Sequence, residues 1–316
     1  MNRMIPRVTA SAAALSAAAV VLGVGAIAHA NPVNATFDRP TTDIWNYPFS
    51  TSFGTQDRTA GSTFAALGTP AFDERDAQVL TFWDSSAQVT PGQGVSNYEV
   101  LSATLTFTYT GTAPIEYDPT QDDFTTYTTA PDADAGRPLE LFGTGFRNGQ
   151  AAGNYITGTP GPSFSPPGPP SRNVRSAFAI DVSTGTERDV SNNTGSFIPD
   201  GPGFNPTPFA VGQSSLNPGD IITDGTVFTF DIDIADTDIE AYIAEGLNDG
   251  LLSFSLTSLH PAAFGGPPTF PAFILDVPGD DTVGAPTLEL SVNVIPEPAS
   301  LGLLGMAGLG LIRRRR

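Results

Sequence analysis

The sequence predicts an all-β protein: a β-sandwich of jelly-roll type with one short helix, placed between an N-terminal export segment and a C-terminal hydrophobic anchor. Three observations carry this. Runs of alternating apolar and polar residues recur along the middle of the chain, as half-buried antiparallel strands require. Turn-forming residues separate them, with 33 Gly and 29 Pro in 316 residues. Both chain ends are apolar, uncharged stretches flanked by arginine.

The N-terminal segment, residues 1–30, reads as a secretory signal peptide. Arg3 and Arg7 supply the positive n-region, Ala10 to Ala28 is rich in Ala, Val and Leu, and Ala28-His29-Ala30 fits a small-x-small cleavage site. The mature chain then starts at Asn31. It has no cysteine, so neither disulfides nor cysteine-based metal or redox sites are available, and it has no lysine. Of the 14 cationic residues two precede and four follow residues 31–295; that span keeps 8 Arg against 32 of the 33 carboxylates, a net charge of −24. Such a surface repels nucleic acid and anionic lipid, and attracts divalent cations or cationic partners. Residues 31–295 are within the size range of a single all-β domain.

Within that span the strands are taken in order. Gln78 to Trp83 alternates, and Val100 to Thr110 sets Leu101, Ala103, Leu105, Phe107 and Tyr109 on one face against Ser and Thr. Pro138 to Phe142 and Ser176 to Val182 are weaker candidates. Thr226 to Ile234 turns Phe228, Phe230, Ile232 and Ile234 inward and Thr229, Asp231 and Asp233 outward; Leu251 to Leu259 and Ala285 to Val294 repeat the pattern. The helix, about 238 to 246, begins at a capping box in which the Thr237 hydroxyl and Glu240 satisfy each other's backbone amides. Ile239, Tyr242, Ile243 and Leu247 follow helical spacing, and Gly246 offers a left-handed terminus. Gly158 to Ser171 and Gly195 to Pro208 carry too many prolines for ladder pairing and are surface excursions.

The order SATLTFTYT, FAIDV, FTFDIDI and PTLELSV, over about residues 98 to 294, resembles the jelly-roll modules of exported bacterial proteins related to galactose-binding-like and carbohydrate-binding domains. The resemblance implies the fold and a tendency toward glycan or calcium binding.

Chemistry-bearing motifs are scarce. His260, in Leu259-His260-Pro261, is the only histidine after signal cleavage, and no GxSxG, HExxH, phosphate loop or dinucleotide fingerprint occurs. It is read as a satisfied loop histidine, and no catalytic residue is assigned. Asp231, Asp233, Asp236 and Asp238 are the candidate metal ligands, for calcium, which takes six to eight oxygens from carboxylates and carbonyls. The competing reading is a solvated strand face leading into a helix N-terminus that favours negative charge. Asp122-Asp123 and Asp280-Asp281 join such a site only if the fold brings them together. Trp45, Tyr47, Trp83, Tyr127 and Tyr155 are available as sugar platforms, with Trp83 at a strand end, although aromatics in a sandwich are more often core.

The C-terminal segment, residues 296–316, is more specific. Pro296-Glu297-Pro298 is followed by Ala299-Ser300, a Leu/Gly-rich run to Ile312 and Arg313, Arg314, Arg315 and Arg316. It resembles the PEP-CTERM sorting signal of exported bacterial proteins. The resemblance implies processing at Pro-Glu-Pro by an exosortase, a membrane protease, often in bacteria that make an exopolysaccharide. The two prolines keep the peptide open by removing amide donors and favouring extended geometry. Ser300 to Ile312 has 13 residues, about 20 Å as a helix, short for a ~30 Å hydrocarbon core unless the bilayer thins or arginine snorkels. The four arginines stay cytoplasmic by the positive-inside rule, leaving Glu297 and all before it outside the inner membrane. The resulting expectation is a non-enzymatic cell-surface or matrix protein, transiently anchored and then released. A carbohydrate-binding protein is the second reading and a polysaccharide-active hydrolase the third.

Overall fold

The computed structural model describes residues 32–46, 59–65, 75, 77–123, 134–147, 149–157, 176–192, 204–262, 269–277 and 282–295. The signal-peptide segment, the sorting segment with Pro296, Glu297, Pro298 and Arg313 to Arg316, and Tyr47, Tyr127, Asp280 and Asp281 lie outside the described residues.

The described strands are β1 (Val33–Phe37), β2 (Thr42–Asn46), β3 (Ala60–Ser62), β4 (Gln78–Asp84), β5 (Tyr98–Thr108), β6 (Tyr117–Asp118), β7 (Arg137–Phe146), β8 (Ala177–Asp181), β9 (Arg188–Asp189), β10 (Ala210–Val211), β11 (Val227–Asp231), β12 (Leu251–Ser258), β13 (Ala272–Ile274) and β14 (Thr287–Val294). Two helices, α1 (Ala152–Thr157) and α2 (Thr237–Asp249), join them. One sheet runs β1-β14-β5-β11 and the other β2-β4-β12-β7-β8-β9, with β10 and β6 paired to β7 and a separate β13-β3 ribbon. Early and late strands interleave in both sheets, with β1 antiparallel to β14 and β12 between β4 and β7. This is a jelly-roll order with β4 as an added strand.

The two sheets bury one core between them. Leu105, Phe107, Phe228, Phe230, Leu288 and Leu290 from the first meet Val79, Leu139, Leu141, Phe254 and Leu256 from the second. Phe107 and Phe230 pack edge to face at 5.7 Å, a geometry favoured by the ring quadrupole.

Four details depart from the sequence expectation. Leu101 is 38 % exposed, not inward, because the β14–β5 register shifts between Ser291 and Val292; this bulge turns Val100 and Ala103 to the core. The second sheet is buried on both faces, so β4 and β12 are not half-exposed. Its outer face carries Ile44, Leu80 and Phe82 packed on Tyr155, and polar groups paired with each other, as in the Arg75–Glu140 ion pair at 2.7 Å.

The third departure is the helix cap. Asp236, not Thr237, is the N-cap and accepts from Asp238 N and Ile239 N; Glu240 Oε1 instead accepts from Val100 N at 3.3 Å. α2 also runs past Gly246 to Asp249, where Gly250 takes the left-handed conformation at φ 79°. Buried Ile239, Ile243 and Leu247 hold the extra turn in the core, a tertiary gain that outweighs the cost of a mid-helix glycine. The fourth is α1, six residues long, whose Tyr155 covers Phe82.

Candidate functional site

The site is built where β6 runs parallel to the start of β7, pairing Tyr117 with Arg137 and Asp118 with Pro138. Gly136 makes this approach possible: its φ is +97°, and a Cβ there would lie 2.6 Å from the Glu116 carbonyl oxygen. The contact gathers carboxylates that are distant in sequence. Asp118, Asp122 and Asp134 each place an oxygen within 4.8 Å of the others. Thr120 Oγ1 lies 2.8 Å from both Asp118 Oδ1 and Asp134 Oδ2, and Arg137 Nη1 pairs with Asp122 Oδ2 at 2.5 Å. Among the described residues this is the group whose oxygens could hold a cation, and the Arg137 charge opposes that use.

The opposite wall comes from the chain leaving β12. His260 O accepts from Ala65 N at 2.9 Å, and Thr269 Oγ1 donates to Pro261 O at 2.6 Å, which pins the segment. His260 is 5 % exposed, and its ring nitrogens Nδ1 and Nε2, both shut off from solvent, have no hydrogen-bond partner. Burial, and then the Arg137 charge, push its pKa down to about 3, so the ring is neutral at ordinary pH. Between the walls lies a cleft of about 380 Å³, lined among others by Ile115, Glu116, Asp134, Arg137, His260 and Thr269.

The sequence-derived candidates distribute unevenly around this geometry. His260 is in the cleft, and the expectation of a satisfied loop histidine is corrected: the fold buries the ring without supplying a partner. Asp122 joins the carboxylate group, whereas Asp123 accepts from Asn205 Nδ2 at 2.8 Å. Asp231, Asp233, Asp236 and Asp238 are not part of that group. Asp231 accepts from Thr104 Oγ1 at 2.8 Å, Asp233 from Ala235 N at 3.2 Å, and Asp236 caps α2. Trp83 is 1 % exposed in the main core and offers no sugar platform; its strand-end position lies under Phe37. Trp45 is half-buried and donates Nε1–H to Ser62 O, and Tyr155 is buried against Phe82. Asp118, Asp134, Glu116 and Arg137 were not singled out by sequence, since no local motif links them; Gly136 is the one local sign of a close backbone approach.

The fold and cleft therefore define an all-β sandwich with a cleft between the start of β7 and the chain leaving β12. The family model for the PEP-CTERM protein-sorting motif matches residues 294–316, so the chain carries that sorting signal at its C-terminus. No curated protein and no solved structure matches the chain. Among the described residues no helix is long and apolar enough to cross a membrane; Ser300 to Ile312 lies outside them.

Proposed function

We propose that this is a non-enzymatic cell-surface or extracellular-matrix protein. It is exported by residues 1–30, held in the inner membrane by the C-terminal apolar run, and released by an exosortase-type protease at Pro296-Glu297-Pro298. The observation that carries the reading is the sorting motif at residues 294–316. The fold is compatible with cutting there: β14 ends at Val294 and Ile295 N donates to Asn97 O at 2.7 Å, so the described pairing of this strand lies before Pro296. Release at Pro-Glu-Pro removes no described strand. The reading makes a mass prediction. Protein recovered from the outside of the producing cell ends near Pro296 to Pro298 and lacks the arginines, and Glu297→Ala with Pro298→Ala leaves it in the membrane fraction. Intact Arg316 on the released protein would overturn processing.

A second reading, carbohydrate binding by the same surface protein, is favoured by the cleft around His260, which is concave, apolar-walled and lined by a few convergent polar groups.

A further inference from the structure

The Pro-Glu-Pro motif begins directly after Ile295, and the strand end that precedes it differs from the rest of β14. Through Val292 the strand is clamped on both sides, by β1 at the Val33–Val292 pair and by β5. In the described pairing Asn293 and Val294 lie against β5 alone, opposite Glu99 and Tyr98. The register shift between Ser291 and Val292 interrupts the β14–β5 ladder just before this end. Burial stops at the same place: Val292 is fully buried, Asn293 and Val294 are half-buried, and Ile295 is 40 % exposed. We propose that residues 293–295 form a detachable strand end, which peels from β5 while the rest of the domain stays folded, and that the exosortase-type protease cuts the chain from that opened form. The inference rests on processing at Pro296-Glu297-Pro298 as read above, and adds to it the conformational step that admits the enzyme.

Chemistry and reach both call for this step. An extended peptide is recognised largely through its main-chain hydrogen bonds, and a protease uses those on both sides of the bond it cuts. Pro296 and Pro298 have no N–H to offer, so the nearest donors on the N-terminal side of the motif are those of Ile295, Val294 and Asn293. Ile295 N–H is committed to Asn97 O at 2.7 Å, and the Asn293 side chain donates to Glu99 Oε2 at 2.8 Å. Five residue steps separate Ile295 from Ser300, where the apolar run starts; at full extension they span about 17 Å. A docked strand end therefore keeps the folded domain against the bilayer and narrows the space a membrane protease needs. Releasing residues 293–295 adds about 10 Å of chain.

The two sides of this ladder are not equally fixed. Tyr98 is buried and its hydroxyl donates to Thr90 O at 2.7 Å, and Asn97 N–H donates to Gly94 O at 2.9 Å, so the β5 edge stays in place. The β14 end is held by its bonds to Asn97 and Glu99 and by Val294 at the margin of the core. Strand ends with so few buried contacts open locally, without global unfolding. Val292, paired on both sides and buried, stops the peeling.

The chain has no cysteine, so one engineered disulfide forms without competitors. Glu99 and Asn293 are paired across the ladder, and directly opposed antiparallel residues lie within disulfide range. The full chain carrying Glu99→Cys with Asn293→Cys, and Asn293→Cys alone as control, is followed by pulse–chase in the producing cell, with the new C-terminus read by mass. When opening is fast relative to cleavage the rate follows the population of the opened form, so the locked variant should be processed about tenfold more slowly than wild type or worse, and the control no more slowly. A Gly-Ser-Gly-Ser spacer between Ile295 and Pro296, adding about 13 Å, should return the locked variant to the wild-type rate or above, which a misfolded domain would not do. Locked protein processed at the wild-type rate, or a spacer that fails to restore cleavage, would overturn the peeling step and leave processing at Pro-Glu-Pro standing. A wild-type chain that is never cut near Pro296 to Pro298 would overturn both.

Discussion

Asp43 is 2 % exposed; its Oδ2 accepts the Asp276 backbone N–H at 2.7 Å, and its Oδ1 has no hydrogen-bond partner. Desolvation pushes its pKa up to about 7; the Asp276 hydrogen bond opposes the rise and the Asp276 charge adds to it. The folded protein thus holds a proton that the unfolded chain releases near pH 4. The corresponding stability is fully present below pH 4 and is lost as pH rises through 7, with a slope of up to about 1.4 kcal/mol per pH unit. His260 acts in the opposite sense. Its folded pKa is depressed from 6.5 to about 3, so its contribution is complete above pH 6.5 and is lost as pH falls toward 3. The two slopes oppose each other between pH 4 and 6.5. Asp43→Asn should unmask the histidine: urea midpoints of the variant rise across that window relative to wild type, and adding His260→Asn flattens the difference. A constant offset between wild type and Asp43→Asn over pH 4 to 7.5 would show an ordinary carboxyl.

At the scale of the element, α2 is held by its ends and by one face. Asp236 caps two amides, and Gly250, at φ 79°, donates its N–H to Gly246 O and Leu247 O. Asp236→Ala should cost about 1 kcal/mol, Asp236→Asn much less because it keeps an acceptor, and Gly250→Ala about 1 kcal/mol for placing a Cβ in the left-handed region. Chemical denaturation midpoints measure all three. Equal losses from Asp236→Asn and Asp236→Ala would show that the charge, not the acceptor, matters. The helix itself was legible from Ile239, Tyr242, Ile243 and Leu247. Its boundaries were not, since Asp236 and Thr237 both have capping chemistry, and the choice follows from where the chain leaves the sheet, with Ile232 N on Ala103 O and Asp233 N on Phe209 O. β7 was faint in sequence for a related reason. It contains Gly143, where a Cβ would meet the rings of Phe209 and Tyr242 at 2.9 Å, and Glu140, whose charge is answered by Arg75, 65 positions away.

For the whole molecule, the dominant quantity is the negative charge of residues 31–295, −24 with 8 Arg. Self-repulsion of this size is relieved by any salt, whereas a built divalent site adds a calcium-specific increment. Because Asp231 and Asp233 are engaged by Thr104 and Ala235, the double variant Asp231→Asn with Asp233→Asn should leave the calcium-induced change in Tm as it is in wild type. Loss of a calcium increment exceeding that of magnesium at equal ionic strength would return the ion to this acidic run.

Period-2 patterning, turn punctuation and helical spacing are local properties, and from them the sequence by itself determined the all-β class, the main strands and the presence of α2. The same holds for the leader pattern, the Pro-Glu-Pro motif with its arginines, and the negative charge of residues 31–295, since each depends on composition or on adjacent residues. Only the tertiary structure decided which strands neighbour which, why the second sheet is dry on both faces, and which side chains share the cleft. Glu116, the stretch from Asp134 to Arg137, and His260 come from three separate segments, and their meeting depends on β6 lying along β7 and on the path of the chain out of β12. The free energy that selects those pairings is burial summed over the whole core, a quantity that no window of sequence contains.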